Sequence, residues 1–288
     1  MKQLLILSGK GGTGKTTIAG VFIKLASAKA YADCDVDAPN LHLIMRQTAS
    51  ASKSDYFGMP KAVIDPERCR SCGQCKANCR FDAIEYNAEY MINKSLCEGC
   101  GVCAEICPTQ AITLMPYKSA ELMLYHSNDH TFSTAQLKMG SGTTGKLVTE
   151  VKKQLISFAH DSELAIIDGS PGIGCPVIAS LNSVDMVLIV AEPTISGISD
   201  MERIILTASK FRVKTAVCIN KYDINIKNTE HIISYCYENS IPYVGKIPFD
   251  NLVIESTNCG LSIIDVECSS GDAARSVFKS TMEILYVH

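Results

Sequence analysis

The chain has 288 residues, 47% of them hydrophobic, with a formal net charge of −3, so it holds one large domain or a large one with a small one. Near-neutral charge gives no reason to expect nucleic acid or an anionic membrane as partner, and no apolar run approaches a membrane span. Fourteen cysteines, with Met1-Lys2-Gln3 leading straight into an apolar run rather than a leader, predict a cytoplasmic, reducing setting and metal rather than disulfides.

Leu4–Leu7 predicts a buried strand and Thr17–Ala28 a helix. Between them, Ser8-Gly9-Lys10-Gly11-Gly12-Thr13-Gly14-Lys15-Thr16-Thr17 satisfies G-x-x-x-x-G-K-[ST] at Gly9, Gly14, Lys15 and Thr16. Strand, glycine turn and helix form the context a phosphate loop requires. The glycines let backbone N–H groups surround phosphate oxygens, and the helix N-terminus adds positive potential. Lys15 would reach the β- and γ-phosphates and the Thr16 hydroxyl would ligate Mg²⁺. The stretch reads as a nucleotide site rather than a chance turn.

A short strand, Ala30–Asp33, runs into the alternating carboxylates Asp33, Asp35 and Asp37. At a strand's C-terminal end these hold Mg²⁺ or orient water, or they form a solvated acidic turn; spacing leaves both open. Leu41–Met45 predicts a short helix, and the Ser- and Ala-rich stretch from Ala49 to Lys61 a linker or mobile loop.

From about residue 60 the composition changes. Cys69, Cys72, Cys75 and Cys79 form one C-x₂-C-x₂-C-x₃-C run, and Cys97, Cys100, Cys103 and Cys107 repeat it 28 residues later. Two copies of a unit this small cannot bury a core unaided, so bound metal must organise them. The spacing is that of two-cluster bacterial ferredoxins, in which the fourth cysteine crosses to the other cluster. One [4Fe–4S] cluster is therefore assigned to Cys69, Cys72, Cys75 and Cys107, and a second to Cys79, Cys97, Cys100 and Cys103. Structural zinc, the competing reading, uses two well-separated ligand pairs instead. Pro108 follows Cys107 as the pattern expects, but Arg80 follows Cys79, a change that could alter hydrogen bonding around that cluster.

Beyond Pro116, Leu122–His126 and Thr131–Leu137 predict paired strands around Ser127-Asn128-Asp129. Gly140-Ser141-Gly142-Thr143-Thr144-Gly145-Lys146 imitates part of a phosphate loop, but no strand abuts it, so it reads as a loop and cap for a helix over Leu147–Ala159. Strand and helix then alternate, which predicts a mostly parallel sheet with helices on both faces. Leu164–Ile167 is a strand ending at Asp168, where a Mg²⁺-holding aspartate belongs, and Gly172 could present its N–H to a γ-phosphate. Met186–Val190 and Val213–Ile219 are further strands, Ser199–Phe211 and Asp272–Leu285 helices. Asn220 could read an adenine edge, yet Asn220-Lys221-Tyr222-Asp223 also fits the guanine-reading N-K-x-D pattern, so base choice stays open. Cys34, Cys218, Cys236, Cys259 and Cys268 read as small buried apolar residues; Cys175 is either a helix-start residue or one that approaches its twin across a dimer.

The string Lys10-Gly11-Gly12-Thr13-Gly14-Lys15-Thr16-Thr17 resembles the deviant Walker-A motif of MinD/ParA-type ATPases. The aspartate-rich strand end, Asp168 with Pro171-Gly172, and Asn220 resemble that superfamily's later motifs. With its cysteine insert the chain is similar to the Mrp-like members that contain a two-cluster ferredoxin domain. The resemblance implies an α/β P-loop NTPase over residues 1–59 and 117–288, interrupted at 60–116 by a small α+β ferredoxin-like domain. It implies ATP and Mg²⁺ as ligands, Mg²⁺ held through Thr16, Asp35 and Asp168, with Gly9, Gly11, Gly12, Thr13, Gly14, Thr17, Gly172 and Asn220 around the nucleotide. It further implies a homodimer sandwiching two nucleotides, in which Lys10 reaches the partner's phosphates and Asp35, with Asp37 a weaker candidate, orients the attacking water. Ser170 departs from Mrp-like relatives, which usually carry the first proline of a Pro-Pro-Gly switch there. Cys175 matches a cluster-ligating cysteine of the nitrogenase iron protein, but the Gly140–Lys146 loop lacks a second cysteine. Expected functions are ATP-gated electron transfer first and cluster delivery to an apo-metalloprotein second, with the redox or apo-protein partner unknown. A positioning ATPase is disfavoured because the final helix, with only Arg275 and Lys279 as cations, is no membrane anchor.

Overall fold

A computed structural model describes residues 1–47 and 50–287. Thirteen strands run in chain order: β1 (Lys2–Leu7), β2 (Ala30–Asp33), β3 (Ser52–Phe57), β4 (Lys61–Ile64), β5 (Ile84–Asn87), β6 (Glu89–Ile92), β7 (Ile112–Met115), β8 (Lys118–His126), β9 (Thr131–Leu137), β10 (Leu164–Asp168), β11 (Met186–Ala191), β12 (Lys214–Asn220) and β13 (Tyr243–Ile247). Nine of them form one sheet in the order β13-β12-β11-β1-β10-β2-β9-β8-β3. From β13 to β9 every neighbouring pair is parallel; β8 and β3 extend the edge as antiparallel strands.

The central strands read as continuous apolar runs because both of their faces are covered. Leu5, Leu7, Ile167 and Ile189 face one buried cluster, under the helices Thr144–Phe158, Cys175–Leu181, Ile195–Lys210 and Ile226–Glu238. Leu4, Ile6, Ile166 and Leu188 face the other, under Lys15–Leu25 and Ser269–Tyr286. These last two helices meet through Phe22 and Phe278, edge to face at 5.1 Å. The chain reverses direction across the sheet beside β1, and the loops at the carboxyl ends of β1, β2, β10 and β12 converge there. Ligands bind at such a crevice in open α/β sheets.

Residues 61–115 build no part of the large sheet. They carry two small antiparallel pairs, β4 with β7 and β5 with β6. The β4–β7 ladder pairs Lys61 with Met115 and Ile64 with Ile112, closing entry and exit of the segment against each other. Its buried core comprises Ala62, Ala83, Cys97 and Ile112, a fraction of what lies under the large sheet.

The expected linker from Ala49 to Lys61 is corrected in part. Ala49 lies outside the described residues, but Ser52–Phe57 is the edge strand β3, and Lys61 opens β4. The edge strand has no apolar face because nearly all its side chains are exposed, so alternation gave no signal. The helix Ile226–Glu238, strand β13 and helix Asn251–Asn258 were not anticipated.

Candidate nucleotide site and cysteine quartets

The phosphate loop leaves β1 with Ser8 fully buried and turns through two left-handed glycines, Gly12 at φ 80° and Gly14 at φ 90°. Gly14 is required twice over: a Cβ there would also lie 2.3 Å from Asn220 Nδ2. Asn220 instead donates from Nδ2 to the Thr13 carbonyl at 2.7 Å, tying the end of β12 to the loop. No acidic residue occupies the first turn of the helix that Lys15 opens, so its N-terminal N–H groups keep their positive potential.

Lys15 is 6% exposed, and its Nζ sits 2.5 Å from Oδ1 of Asp168, which is fully buried. Burial works against the Lys15 ammonium, but the adjoining Asp168 charge and hydrogen bond, helped by Asp33 and Asp35, hold its pKa above the ordinary value. The second oxygen, Asp168 Oδ2, is buried without a hydrogen-bond partner, as is Thr13 Oγ1. An unpartnered carboxylate oxygen on a residue paired with the phosphate-loop lysine suits a metal-bound water.

Asp33 has a different task from the one its place among three aspartates suggested. It is fully buried and accepts from the N–H groups of Asp35 at 3.0 Å, Asn40 at 2.8 Å and Leu41 at 2.9 Å, shaping the loop that presents Asp35. Burial, reinforced by the Asp168 charge, pushes its pKa up to about 7. Asp35 is also raised, by burial first, with Lys15 opposing. Asp35 and Asp37 both line a cavity of about 620 Å³ with Lys10, Lys15, Thr16 and Pro171. A mostly apolar cavity of about 360 Å³ adjoins it, walled by Gly12, Thr17, Asn220, Pro248 and Phe249. A charged pocket at the phosphate loop thus opens beside a mostly apolar one.

Other expected residues have partners of their own. The Gly172 N–H donates to the Ser8 carbonyl at 2.9 Å, so offering it to a γ-phosphate requires that bond to break. Lys10 lies within its own chain, 2.9 Å from Glu192 Oε2 and 3.2 Å from Thr194 Oγ1. Lys221 reaches the other Glu192 oxygen at 3.1 Å and the Gly12 carbonyl at 2.9 Å. Glu192 is a site residue that the sequence motifs do not mark; its place just after the carboxyl end of β11 is the available signal. Asp223 Oδ1 accepts from the Phe249 N–H at 2.7 Å and does not line the apolar cavity, so its carboxylate is committed to the backbone. Cys34, Cys218 and Cys236 are buried, but Cys259 is exposed at a helix end and Cys268 accepts from the Gly271 N–H as an N-cap, which corrects both. Cys175 is exposed at the start of the helix Cys175–Leu181.

The structure brings Cys79 together with Cys97, Cys100 and Cys103 around one cavity, and Cys107 with Cys69, Cys72 and Cys75 around another. The internal repeat has a structural counterpart. Gly73 at φ 73° and Gly101 at φ 81° each start a four-residue helix, Gln74–Ala77 and Val102–Glu105, carrying Cys75 and Cys103. Backbone N–H groups point at sulfur: the Ala111 N–H lies 3.3 Å from Cys107 Sγ. Burial opposes ionisation of Cys107, yet the Thr109 hydroxyl and the Ala111 N–H draw its pKa below the ordinary thiol value. Among the described residues no three His, Cys, Asp or Glu side chains gather closely enough to clasp a single metal ion. Each quartet rims a cavity rather than meeting at a point.

Among solved structures, MinD of Pyrococcus horikoshii complexed with Mg-ADP matches over 99% of this chain and 97% of that one, with a TM-score of 0.58 and 16% identity. An uncharacterised protein of Methanocaldococcus jannaschii is 34% identical over 250 residues, 85% of this chain and 86% of its own. The pyruvate synthase subunit PorD of Thermotoga maritima is 34% identical over 71 residues, 24% of this chain and 72% of its own. The model of the CobQ/CobB/MinD/ParA nucleotide-binding domain matches residues 4–263. No helix among the described residues is long and apolar enough to cross a membrane. A phosphate loop at the end of β1, a buried lysine–aspartate pair and a matching family model over most of the chain together place this protein in the CobQ/CobB/MinD/ParA nucleotide-binding family, as a MinD/ParA-type P-loop ATPase.

Proposed function

We propose that this ATPase is a dimeric switch that gates electron transfer through an iron–sulfur module formed by residues 60–116, in a cytoplasmic setting. The observation that carries the reading is the loop Gly140–Lys146, which touches both halves. A Cβ at Gly140 would lie 3.0 Å from Ser95 Cβ, and one at Gly142 would lie 3.0 Å from Glu98 Oε2, both beside the Cys97–Cys103 quartet. A Cβ at Gly145 would lie 3.1 Å from the Cys175 carbonyl, on the segment that follows Gly172. A shift of the Asp168–Gly172 segment on nucleotide turnover is therefore transmitted by contact to the cysteine segment. On the cysteine side, Lys61 donates to the Cys97 carbonyl, and the Tyr117 ring lies under both Lys61 Nζ at 5.6 Å and Lys138 Nζ at 5.7 Å.

All-thiol donors around a cavity, with N–H groups aimed at sulfur, fit a compact inorganic cluster better than a lone zinc ion. Cys69, Cys72, Cys75 and Cys107 would hold one [4Fe–4S] cluster, and Cys79, Cys97, Cys100 and Cys103 the other; bound clusters supply one-electron redox chemistry. On the nucleotide side, Thr16, Asp35 and Asp168 would hold Mg²⁺, which offsets phosphate charge. Lys15 leaves Asp168 for the β- and γ-phosphates, and Asp35 orients a water for in-line attack on the γ-phosphorus. The bond to the bridging oxygen breaks, and ADP and phosphate leave. Lys10, released from Glu192, reaches the phosphates of the second copy in the dimer. The apolar cavity beside Asn220 receives adenine, since Asp223 is held by the Phe249 N–H.

The test is anaerobic: reconstituted, reduced protein is mixed with an oxidised low-potential acceptor or with an apo-ferredoxin, in ATP or ADP. Gated transfer predicts ATP-dependent oxidation of this protein with its iron content unchanged. Iron moving to the apo-ferredoxin identifies a cluster carrier instead, and identical rates in ATP and ADP remove the gating.

A further inference from the structure

Ser170 occupies a position that the sequence alone marks only as a departure from proline. Its hydroxyl donates to the carbonyl of Cys34 at 2.6 Å, with Ser170 4% exposed and Cys34 fully buried. Cys34 is gripped from its other side by the same segment, its N–H donating to the Asp168 carbonyl at 2.8 Å. No loop or turn N–H among the described residues reaches the Cys34 carbonyl, so the hydroxyl is what satisfies it. A buried carbonyl left without a donor costs about 1–3 kcal/mol, enough for its peptide to turn in search of another.

That peptide is the one that begins Asp35. The Asp35 N–H donates to Asp33 Oδ1 at 3.0 Å, and Asp35 and Ser170 line the same cavity. Rotation of the Cys34–Asp35 peptide would swing the Asp35 carboxylate relative to Lys15 and the phosphate loop. A proline at position 170 has neither hydroxyl nor N–H and cannot hold the peptide this way.

We infer that Ser170 is a positioning residue for ATP hydrolysis, clasping the Cys34 carbonyl so that the Asp168–Gly172 segment and the Asp35 carboxylate move as one unit. The inference rests on the proposed water-orienting role of Asp35. Because the Ser170 hydroxyl is committed to the Cys34 carbonyl, its loss should spare ATP binding and slow turnover. Misplacement by a fraction of an ångström at a reacting centre is costly in rate.

Steady-state ATP hydrolysis and equilibrium binding of a non-hydrolysable ATP analogue test this across Ser170→Ala, Ser170→Thr, Asp35→Asn and the Ser170→Ala/Asp35→Asn double variant. Ser170→Ala is expected to lower kcat about 10-fold with KM and analogue affinity within about two-fold, and Ser170→Thr to recover at least about half the loss. On the Asp35→Asn background, Ser170→Ala should add no more than about a further two-fold. An unchanged kcat in Ser170→Ala, a parallel loss of binding, or a full additional loss in the double variant would overturn the proposal. Wild-type turnover in Asp35→Asn overturns the Asp35 assignment itself, whereas slow Asp35→Asn with normal Ser170→Ala removes only the clasp. If Ser170→Ala melts below assay temperature, Ser170→Thr against Ser170→Val poses the same question, since the pair differs only by the hydroxyl.

Discussion

The phosphate loop and the cysteine segment are both built from glycine turns, yet they are held by different physics. Around the loop, a nine-stranded sheet buries Leu4 to Leu7 completely, and the site's charges are fixed by mutual contact: Lys15 on Asp168, Lys10 on Glu192, Asp33 on three backbone N–H groups. Residues 61–115 have a buried core cluster of only Ala62, Ala83, Cys97 and Ile112, and two isolated strand pairs. The first region is preorganised by packing. The second has little core of its own, and the clusters proposed for its eight cysteines would supply stabilisation that packing does not.

The strongest way to break that contrast is to strip iron from the reconstituted protein with a chelator and follow amide exchange. Protection should collapse across 61–115 while β1, β10 and β11 keep theirs; uniform loss would mean the segment and the sheet fold as one unit. Next in size, Lys15→Ala should cut ATP hydrolysis by at least about 10²-fold and, by stranding the buried Asp168 charge, cost about 3–5 kcal/mol in denaturant unfolding. The brown colour expected of the reconstituted protein should survive it, and bleaching would show that the two regions are not independent. Cys79→Ser should halve the iron while sparing the cluster assigned to Cys107, read by iron analysis and low-temperature electron paramagnetic resonance. Iron loss from both cavities would refute the assignment.

Smaller effects sharpen the electrostatic side. Glu192→Gln removes the charge that holds Lys10 and Lys221, and ATP-dependent dimerisation measured by sedimentation should tighten a few-fold, or about 1 kcal/mol. An unchanged or weaker dimer would mean that Glu192 does not restrain Lys10. The smallest concerns Lys152, which is 5% exposed, donates to the Ser180 carbonyl at 2.7 Å, and is lowered by burial from 10.5 to about 8. Between those values the unfolded chain binds more protons than the folded one, so stability rises with pH. Relative to Lys152→Met, the wild type should gain stability from pH 8 to 10; a parallel pair of curves would mean the buried amine keeps its ordinary pKa.

How much was legible beforehand divides along the same line. The buried strands at Leu4, Leu164 and Met186 and the phosphate loop were readable because apolar runs and G-x-x-x-x-G-K-T are local signals. The edge strand Ser52–Phe57 was not, since its exposed polar side chains are those of a linker. Nor were the helix Ile226–Glu238 and strand β13, where apolar residues are diluted by charge and tyrosine. Asp33 illustrates the limit within the site. Its sequence neighbours make it one of three equivalent aspartates, and only its burial under the loop it anchors separates it from Asp35.

The order of residues by itself determined that a triphosphate cradle and two cysteine runs share one chain, because both chemistries depend on spacings of a few residues. Tertiary structure alone decided which partners those residues keep: Glu192 for Lys10, the Phe249 N–H for Asp223, the Cys34 carbonyl for Ser170. Those contacts join residues from 26 to 182 positions apart. They exist only because the parallel sheet gathers the carboxyl ends of its strands at one edge, where side chains distant along the chain become neighbours.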